Sequence, residues 1–200
     1  MWRNKMKKGL TLIVIFVALV SLVMWGVGVY NKLVNMDEGV ANAWAKVESA
    51  YQRRADLIPN LVNTVKGYAA HEQETFTAVT DARSKASQVQ IDPTNITPEQ
   101  FAAFQTAQDG ISSALSRLLV TVERYPDLKA NQNFLELQSQ LEGTENRIKV
   151  ERDRFNDVVK EFNVFVRRIP NKIVAAITGF AEKKFFESAP GSEEVPTVEF

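Results

Sequence analysis

GLTLIVIFVALVSLVMWGVGVY, residues 9–30, contains no ionisable side chain except the phenol of Tyr30. As an α-helix this segment is roughly 33 Å long, which matches the thickness of the hydrocarbon core of a bilayer. Its Leu, Ile, Val and Phe residues favour membrane insertion by about 4 to 8 kcal/mol in total. The segment therefore predicts one transmembrane helix, and the lipid bilayer is the first expected partner.

The residues on either side of this segment predict its orientation. Four of the first eight residues are basic, namely Arg3, Lys5, Lys7 and Lys8. Positive charge stays on the cytoplasmic side of a membrane, so the N-terminus is predicted to be cytoplasmic and the chain beyond Tyr30 extracytoplasmic. A cleaved signal peptide is the alternative, but the apolar run exceeds the usual ~7–15 residues and no small-x-small cleavage site follows it. We therefore predict an uncleaved, single-pass anchor.

Composition excludes most enzyme designs. The chain contains no cysteine and one histidine, His71, which excludes disulfides, cysteine-ligated metals and thiolate nucleophiles. A dinuclear carboxylate site in a helical bundle needs Glu-x-x-His on each of two helices, which one histidine cannot supply. Beyond the first eight residues, 20 basic side chains stand against 24 acidic ones, which argues against nucleic-acid binding. We predict no catalytic residue, cofactor, metal or nucleic-acid partner.

Beyond Tyr30, apolar residues recur at alternating steps of four and three, which is typical of amphipathic helices that pack like a coiled coil. Three such seams run from Val40 to Ala86, from Phe101 to Tyr125 and from Phe134 to Ile169. Residues 171–180 add a short apolar helix that ends at Gly179. The expected fold is all-α, with a single N-terminal transmembrane helix followed by an antiparallel bundle of three to four long helices.

Local motifs mark the helix ends. Thr97-Pro98-Glu99-Gln100 is a capping box and predicts the start of the second long helix. Pro126 ends that helix, and Asn131 caps the third, which runs to about Arg168. Pro59 lies within the first seam, where its missing N–H costs about 3 kcal/mol and a hairpin is one possible outcome. Because no glycine flanks Pro59 and the seam keeps its phase, we expect a kinked but continuous helix there.

The predicted organisation has four parts. They are a cytoplasmic basic N-terminus (residues 1–8), the transmembrane helix (9–30), an extracytoplasmic helical bundle (31–186) and an acidic tail (187–200). The tail, ESAPGSEEVPTVEF, has the composition of a disordered segment. Its apolar residues Val198 and Phe200, next to the free carboxylate, form a candidate C-terminal peptide motif for a PDZ-type groove. A disordered end without such a partner is the alternative.

Several motifs resemble those of the LemA family of bacterial membrane proteins. They are QRRADLIPNLVNTVKGYAAHEQETFTAVTDARS at 52–84, ERYPDLKANQNFLELQSQLEGTENRIKVERDRFNDVV at 123–159, and the Pro-x-Val-x-Phe ending. The resemblance extends from Tyr30 to Phe200, although Glu151 stands where family members usually carry a small residue. It implies a bacterial protein with one N-terminal membrane helix and an extracytoplasmic antiparallel bundle, and it implies no reaction. With the basic N-terminus, it predicts the inner (plasma) membrane and a periplasmic domain.

Some charged residues interrupt the seams. The candidate internal polar cluster consists of Arg54, Asp56, Glu72, Glu145, Glu151 and Arg152. Three of its members fall on seam positions, where an unpaired charge would cost several kcal/mol. Ion pairs between helices and solvated faces are one interpretation, and a polar binding cavity is the other. Convergence of Arg54, Glu72 and Glu151 in a closed pocket would favour a ligand-binding or enzymatic bundle, whereas pairing with one another would favour a scaffold.

Helix lengths predict self-association. As one helix, residues 36–88 extend roughly 80 Å, whereas residues 98–124 return only about 40 Å. If the third helix then runs away from the membrane, an apolar stripe stays uncovered, which consists of Val40, Trp44, Val47, Tyr51 and Ile58. We predict a homo-oligomer assembled through this stripe. A hairpin at Pro59 would instead cover the stripe within one chain, and no exposed apolar surface would then predict self-association.

These observations predict a membrane-anchored, non-enzymatic scaffold or assembly protein of the bacterial cell envelope. It would act through self-association and through contacts of its helical bundle with other envelope proteins. The alternative function is a ligand-binding or enzymatic bundle that uses the internal arginine and glutamate cluster.

Overall fold

The computed structural model of the chain describes residues 2–92 and 96–186. The predicted disordered tail, residues 187–200, and the candidate motif of Val198 and Phe200 lie outside these residues. The regular structure of the described residues is helical, which confirms the all-α fold class. The helices are α1 (Trp2–Lys66), α2 (Gln73–Gln88), α3 (Pro98–Val122), α4 (Pro126–Lys129), α5 (Gln132–Arg167) and α6 (Asn171–Thr178).

The apolar N-terminal segment and the central helix of the bundle are one continuous helix. With 65 residues, α1 is about 97 Å long. Its apolar side chains are exposed from Leu10 to Val27, whereas Val29 and Leu33 are buried in the bundle. Within the described ranges, α1 is the one helix that is long and apolar enough to cross a membrane. The bundle is therefore connected to the apolar segment without a flexible linker.

Helix α1 passes through Pro59 without interruption, as predicted. However, it ends at Lys66, and residues 67–72 reverse the chain, so the predicted continuous helix over 36–88 is wrong at its C-terminal end. Gly67, a poor helix former, begins the turn. The reversal brings α2 back along α1 and buries Phe76 and the seam residue Val79.

A side chain of α2 compensates for the proline in α1. Pro59 has no backbone N–H to donate to the carbonyl four residues earlier, which is that of Ala55. Arg83 of α2 donates from Nε to this carbonyl oxygen at 2.8 Å. The irregularity at Pro59 therefore supplies a hydrogen-bond acceptor that holds α2 against α1.

The next two long helices begin as predicted but run in the opposite directions. Thr97 and Gln100 form the expected capping box, and Asn131 accepts a hydrogen bond from the backbone of Phe134. Because α2 has already returned towards the membrane, α3 runs away from it and α5 runs back along α1. Helix α5 therefore covers the membrane-proximal half of α1, which the sequence prediction had left bare.

The predicted self-association stripe is consequently wrong as an exposed surface. All five of its residues, Val40, Trp44, Val47, Tyr51 and Ile58, are at most 7% exposed in the single chain. The indole of Trp44 contacts rings from α3 and α5, with centroids 5.1 Å from Phe104 and 5.4 Å from Phe155. Homo-oligomerisation stays a prediction, but this stripe is not available to support it.

Candidate functional site

The bundle interior has two apolar clusters with a polar layer between them. We use the term polar layer for Arg54, Gln108, Ser112 and Glu145. On α1, Tyr51 belongs to the membrane-proximal cluster and Ile58 to the distal one, so Arg54 lies at the boundary. The layer joins the three longest helices of the bundle, α1, α3 and α5.

Arg54 uses its guanidinium to hold these helices together. Its Nη1 donates to Glu145 Oε1 and to Ser112 Oγ, each at 2.9 Å. Its Nη2 donates to the side chain of Gln108 at 2.7 Å and to the backbone carbonyl of Gln108 at 3.1 Å. The Arg54 side chain is 2% exposed, whereas that of Glu145 is 43% exposed. The terminal nitrogens of Arg54 are thus committed to protein acceptors, which fixes helix register and leaves little for a ligand.

The ring of Tyr51 forms one wall of this layer. The Arg54 guanidinium carbon lies 5.1 Å from the Tyr51 ring centroid, within cation–π distance. Burial raises the pKa of the Tyr51 phenol, although the positive charges of Arg152 and Arg54 oppose the shift. The phenol therefore stays neutral well above physiological pH.

Glu151, a seam residue of α5, is paired within its own helix. Its Oε1 accepts from Arg147 Nε at 2.7 Å and from Arg154 Nη1 at 3.1 Å. The side chain is 1% exposed, and its Oε2 has no hydrogen-bond partner among the described residues. Glu151 is thus not part of the polar layer.

Glu72 lies at the opposite end of the bundle from the membrane. It accepts from Arg124 Nη2 at 3.0 Å and from the Tyr125 hydroxyl at 2.9 Å. The hydrogen bond to Glu72 raises the pKa of Tyr125 above the ordinary tyrosine value. These contacts hold the turn between α1 and α2 against the end of α3.

The two remaining members of the predicted polar cluster differ in position: Arg152 lies beside the polar layer, where it lines a cleft with Glu145, and Asp56 does not line that cleft. Asp56 accepts from Gln52 at 2.8 Å on the exposed side of α1, and the Arg152 guanidinium lies 4.5 Å from the Phe186 ring centroid. The structure brings Arg54 and Glu145 together, but Arg54, Glu72 and Glu151 neither converge in a closed pocket nor pair with one another. His71 is exposed in the turn after α1, and the described residues contain no His, Asp and Glu group that could hold a metal ion.

Sequence reasoning missed how the chain after α6 is held. We call residues 180–186 the C-terminal strap. Two asparagines of α5 each bind one strap residue through both its backbone N–H and its carbonyl: Asn163 binds Lys183 and Asn156 binds Phe186, at 2.8 to 2.9 Å. Seven helical residues span about 10 Å, as do three extended residues. The seven-residue spacing of Asn156 and Asn163 therefore matches the three-residue spacing of Lys183 and Phe186, and it could have predicted an extended segment bound along α5.

The strap ends in the membrane-proximal core. The Phe186 ring lies 4.7 Å from that of Phe101 and stacks on Trp44 at 6.0 Å. Lys183 Nζ contacts Asp37 of α1 at 2.7 Å. The strap thus links α5, α3 and the part of α1 nearest the membrane, and it completes the fold of the bundle.

An open groove runs between α1 and α5. It has a volume of about 650 Å³ and is lined by Ala45, Lys46, Ser49, Ala50, Arg53, Gln140, Gly143, Thr144 and Arg147. We call it the α1–α5 groove. Three of these nine residues are cationic and none is acidic, although Arg147 also binds Glu151. The lining includes the small residues Ala45, Ser49, Ala50 and Gly143, which allow a polypeptide backbone to approach closely.

These features define a helical-bundle protein that associates with a membrane through its N-terminal helix. The chain belongs to the LemA family, because the LemA family model matches residues 43–200. The family membership predicted from the sequence is thereby confirmed.

Bacterial relatives support this assignment. Magnetosome protein MamQ 2 of Paramagnetospirillum magneticum is 26% identical over 181 residues, and magnetosome protein MamQ of Magnetospirillum gryphiswaldense is 28% identical over 181 residues. Each alignment covers 82% of this chain but 66% of the relative. Protein LemA of Metamycoplasma hominis is 28% identical over 137 residues, which are 68% of this chain and 59% of the relative. The chain therefore spans less than two thirds of the length of these relatives.

Proposed function

We propose that the protein is a membrane-anchored, non-enzymatic scaffold of the bacterial cell envelope. Its apolar helix holds it in the inner membrane with the N-terminus in the cytoplasm, and its bundle acts on the other side through self-association and contacts with envelope proteins. Two relatives are named as magnetosome proteins and not after a reaction, which supports a role without catalysis.

The α1–α5 groove is the observation that carries this proposal. It is a cleft partly open to solvent and not an enclosed cavity, so it fits a polypeptide segment better than an enclosed small molecule. Lys46, Arg53 and Arg147 give it a positive rim, and guanidinium groups bind carboxylates through charge-assisted hydrogen bonds. Its partner is therefore an acidic segment, because complementary charge favours encounter and fixes orientation.

The acidic segment that we assign to the groove is the tail of a second copy, residues 187–200. This tail contains Glu187, Glu193, Glu194 and Glu199 and no basic residue. Its 14 residues reach up to about 46 Å when extended, which is long enough to bridge neighbouring bundles. Anchoring in one membrane raises the local concentration of copies and favours such contacts.

The alternative, a ligand-binding or enzymatic bundle, has less support from the geometry. Its central residue would be Arg54, and the terminal nitrogens of Arg54 are already bonded to Gln108, Ser112 and Glu145. A ligand would have to displace these contacts and separate helices that the polar layer holds in register.

Charge reversal in the groove tests the proposal. Light scattering of the detergent-solubilised full chain should show a multi-copy particle for the wild type and single chains for Lys46→Glu/Arg53→Glu. Lys85→Glu/Arg117→Glu, which makes the same charge change at exposed positions of α2 and α3, should retain the wild-type mass. Adding Glu193→Lys/Glu194→Lys to the groove variant should restore the larger particle. A wild-type particle of single-chain mass, or a groove variant of unchanged mass, would overturn self-association through the groove.

A further inference from the structure

Helix α6 lies where α1 leaves its apolar segment. The rings of Phe180, after α6, and Tyr30, on α1, have centroids 6.1 Å apart. Ala175 of α6 is buried in the same apolar cluster as Val29 and Leu33 of α1. Val27 is the last exposed aliphatic residue of the α1 segment, and the buried Val29 is only about 3 Å further along the helix axis. Helix α6 therefore lies at the level of the membrane boundary.

One face of this region carries isoleucines that the bundle does not cover. Ile173 and Ile177, four residues apart, are 59% and 80% exposed and share one side of α6. Ile169, in the turn before α6, is 85% exposed. The opposite side, with Ala175, packs on the bundle. Side chains of this kind, next to a membrane-spanning helix, are suited to the apolar part of the lipid interface.

Basic residues accompany these isoleucines. Arg168 directly follows α5, and Lys172 lies in the first turn of α6, which contains no acidic residue. The N-terminal end of a helix is the positive end of its dipole, so a cation there is unfavourable for the isolated helix. An anionic surface at this end would offset that cost, and lipid headgroups next to an anchor supply such a surface.

We infer that α6 is a second membrane contact, in which Ile169, Ile173 and Ile177 insert into the leaflet beside α1 and Arg168 and Lys172 bind anionic lipid headgroups. The occupant of this face is the lipid surface because the face continues the exposed apolar belt of α1. Two contacts, α1 and α6, then fix the angle between the bundle and the membrane.

Spin labels can measure this insertion because the chain has no cysteine of its own. The full chain carrying Ile173→Cys or Ile177→Cys is labelled and placed in vesicles of phosphatidylcholine and phosphatidylglycerol. Oxygen, which concentrates in lipid, should relax these labels more than a water-soluble nickel chelate does. A label at Val120→Cys, at an exposed position of α3, should show the reverse preference.

The headgroup contact has its own test. Arg168→Glu/Lys172→Glu should reduce the oxygen preference at position 173 in the mixed vesicles but not in vesicles of phosphatidylcholine alone. Labels at 173 and 177 that prefer the nickel chelate would overturn the inference. Labels shielded from both reagents would also overturn it, because a protein surface would then cover this face. The groove variants in the test of self-association leave α6 unchanged, so the two proposals fail independently.

Discussion

Arg83 of α2 donates a hydrogen bond at 2.8 Å to the carbonyl of Ala55, the acceptor that Pro59 leaves without its usual helical donor. A proline near the C-terminal end of a 65-residue helix is thereby used to dock the neighbouring helix. The contact links a local property of the sequence, the missing N–H, to the tertiary position of α2.

This relationship predicts energetic coupling between Pro59 and Arg83. In Pro59→Ala, a new backbone N–H competes for the Ala55 carbonyl, so Arg83→Ala should cost less in that background than in the wild type. We expect a coupling free energy of about 1 kcal/mol from a double-mutant cycle. Thermal unfolding of the solubilised chain, followed by circular dichroism, measures it, and strictly additive effects would contradict the assignment.

The polar layer predicts an unequal effect of two neighbouring glutamates. Glu145→Ala should lower the free energy of unfolding by about 1–3 kcal/mol, because buried Arg54 keeps its charge and loses its carboxylate. The partial exposure of Glu145 keeps the loss below that of a fully buried pair. Glu142→Ala, on the exposed side of α5, should change stability by less than about 0.5 kcal/mol. Equal effects would show that the layer does not stabilise the bundle.

The C-terminal strap predicts a protease-sensitive segment in asparagine variants. Asn156→Ala and Asn163→Ala each remove a side chain that binds one strap residue through both its backbone N–H and its carbonyl. Release of the strap should free the backbone around Lys183 and Lys184 to enter the active site of trypsin, so cleavage there should be faster than in the wild type. Asn133→Ala, at an exposed position near the start of α5, is the matched control and should leave the cleavage rate unchanged.

The hydrogen bond from Tyr125 to Glu72 predicts a dependence on alkaline pH. The protonated phenol is the donor, so a raised pKa means that the bond stabilises the folded chain below pH 10.0, the ordinary tyrosine value. The contribution is lost as pH rises through the shifted pKa. Tyr125→Phe should therefore be less stable than the wild type near neutral pH, and the difference should shrink above pH 10.0. A difference that stays constant across this range would contradict the bond.

The ends of the helices could be predicted from local sequence motifs, but the directions in which α3 and α5 run could not. The capping box at Thr97, the cap at Asn131 and the left-handed Gly179 act within one turn of chain, so the sequence shows them directly. The reversal at residues 67–72 keeps the spacing of the apolar seam, so the pattern on both sides is the same as in one helix. That turn changed the directions of α3 and α5 and placed Trp44 in the core instead of on the surface.

The candidate site could also be predicted only in part. A seam arginine requires a partner, and Arg54 has one in Glu145. Gln108 and Ser112 are ordinary polar residues of α3, and only the packing of α3 against α1 makes them ligands of the guanidinium. The α1–α5 groove likewise depends on the spacing of two helices far apart in sequence.

Photocrosslinking in bacterial membranes tests the scaffold proposal most directly. A photoactivatable residue replaces Ser49 on the groove wall in one tagged copy, and a second copy carries a different tag. We predict an adduct between position 49 and the tail, residues 187–200, of the other copy, and its loss when Glu193→Lys/Glu194→Lys is introduced in that tail. Adducts that contain no second copy, or that persist with the altered tail, would contradict self-association through the α1–α5 groove.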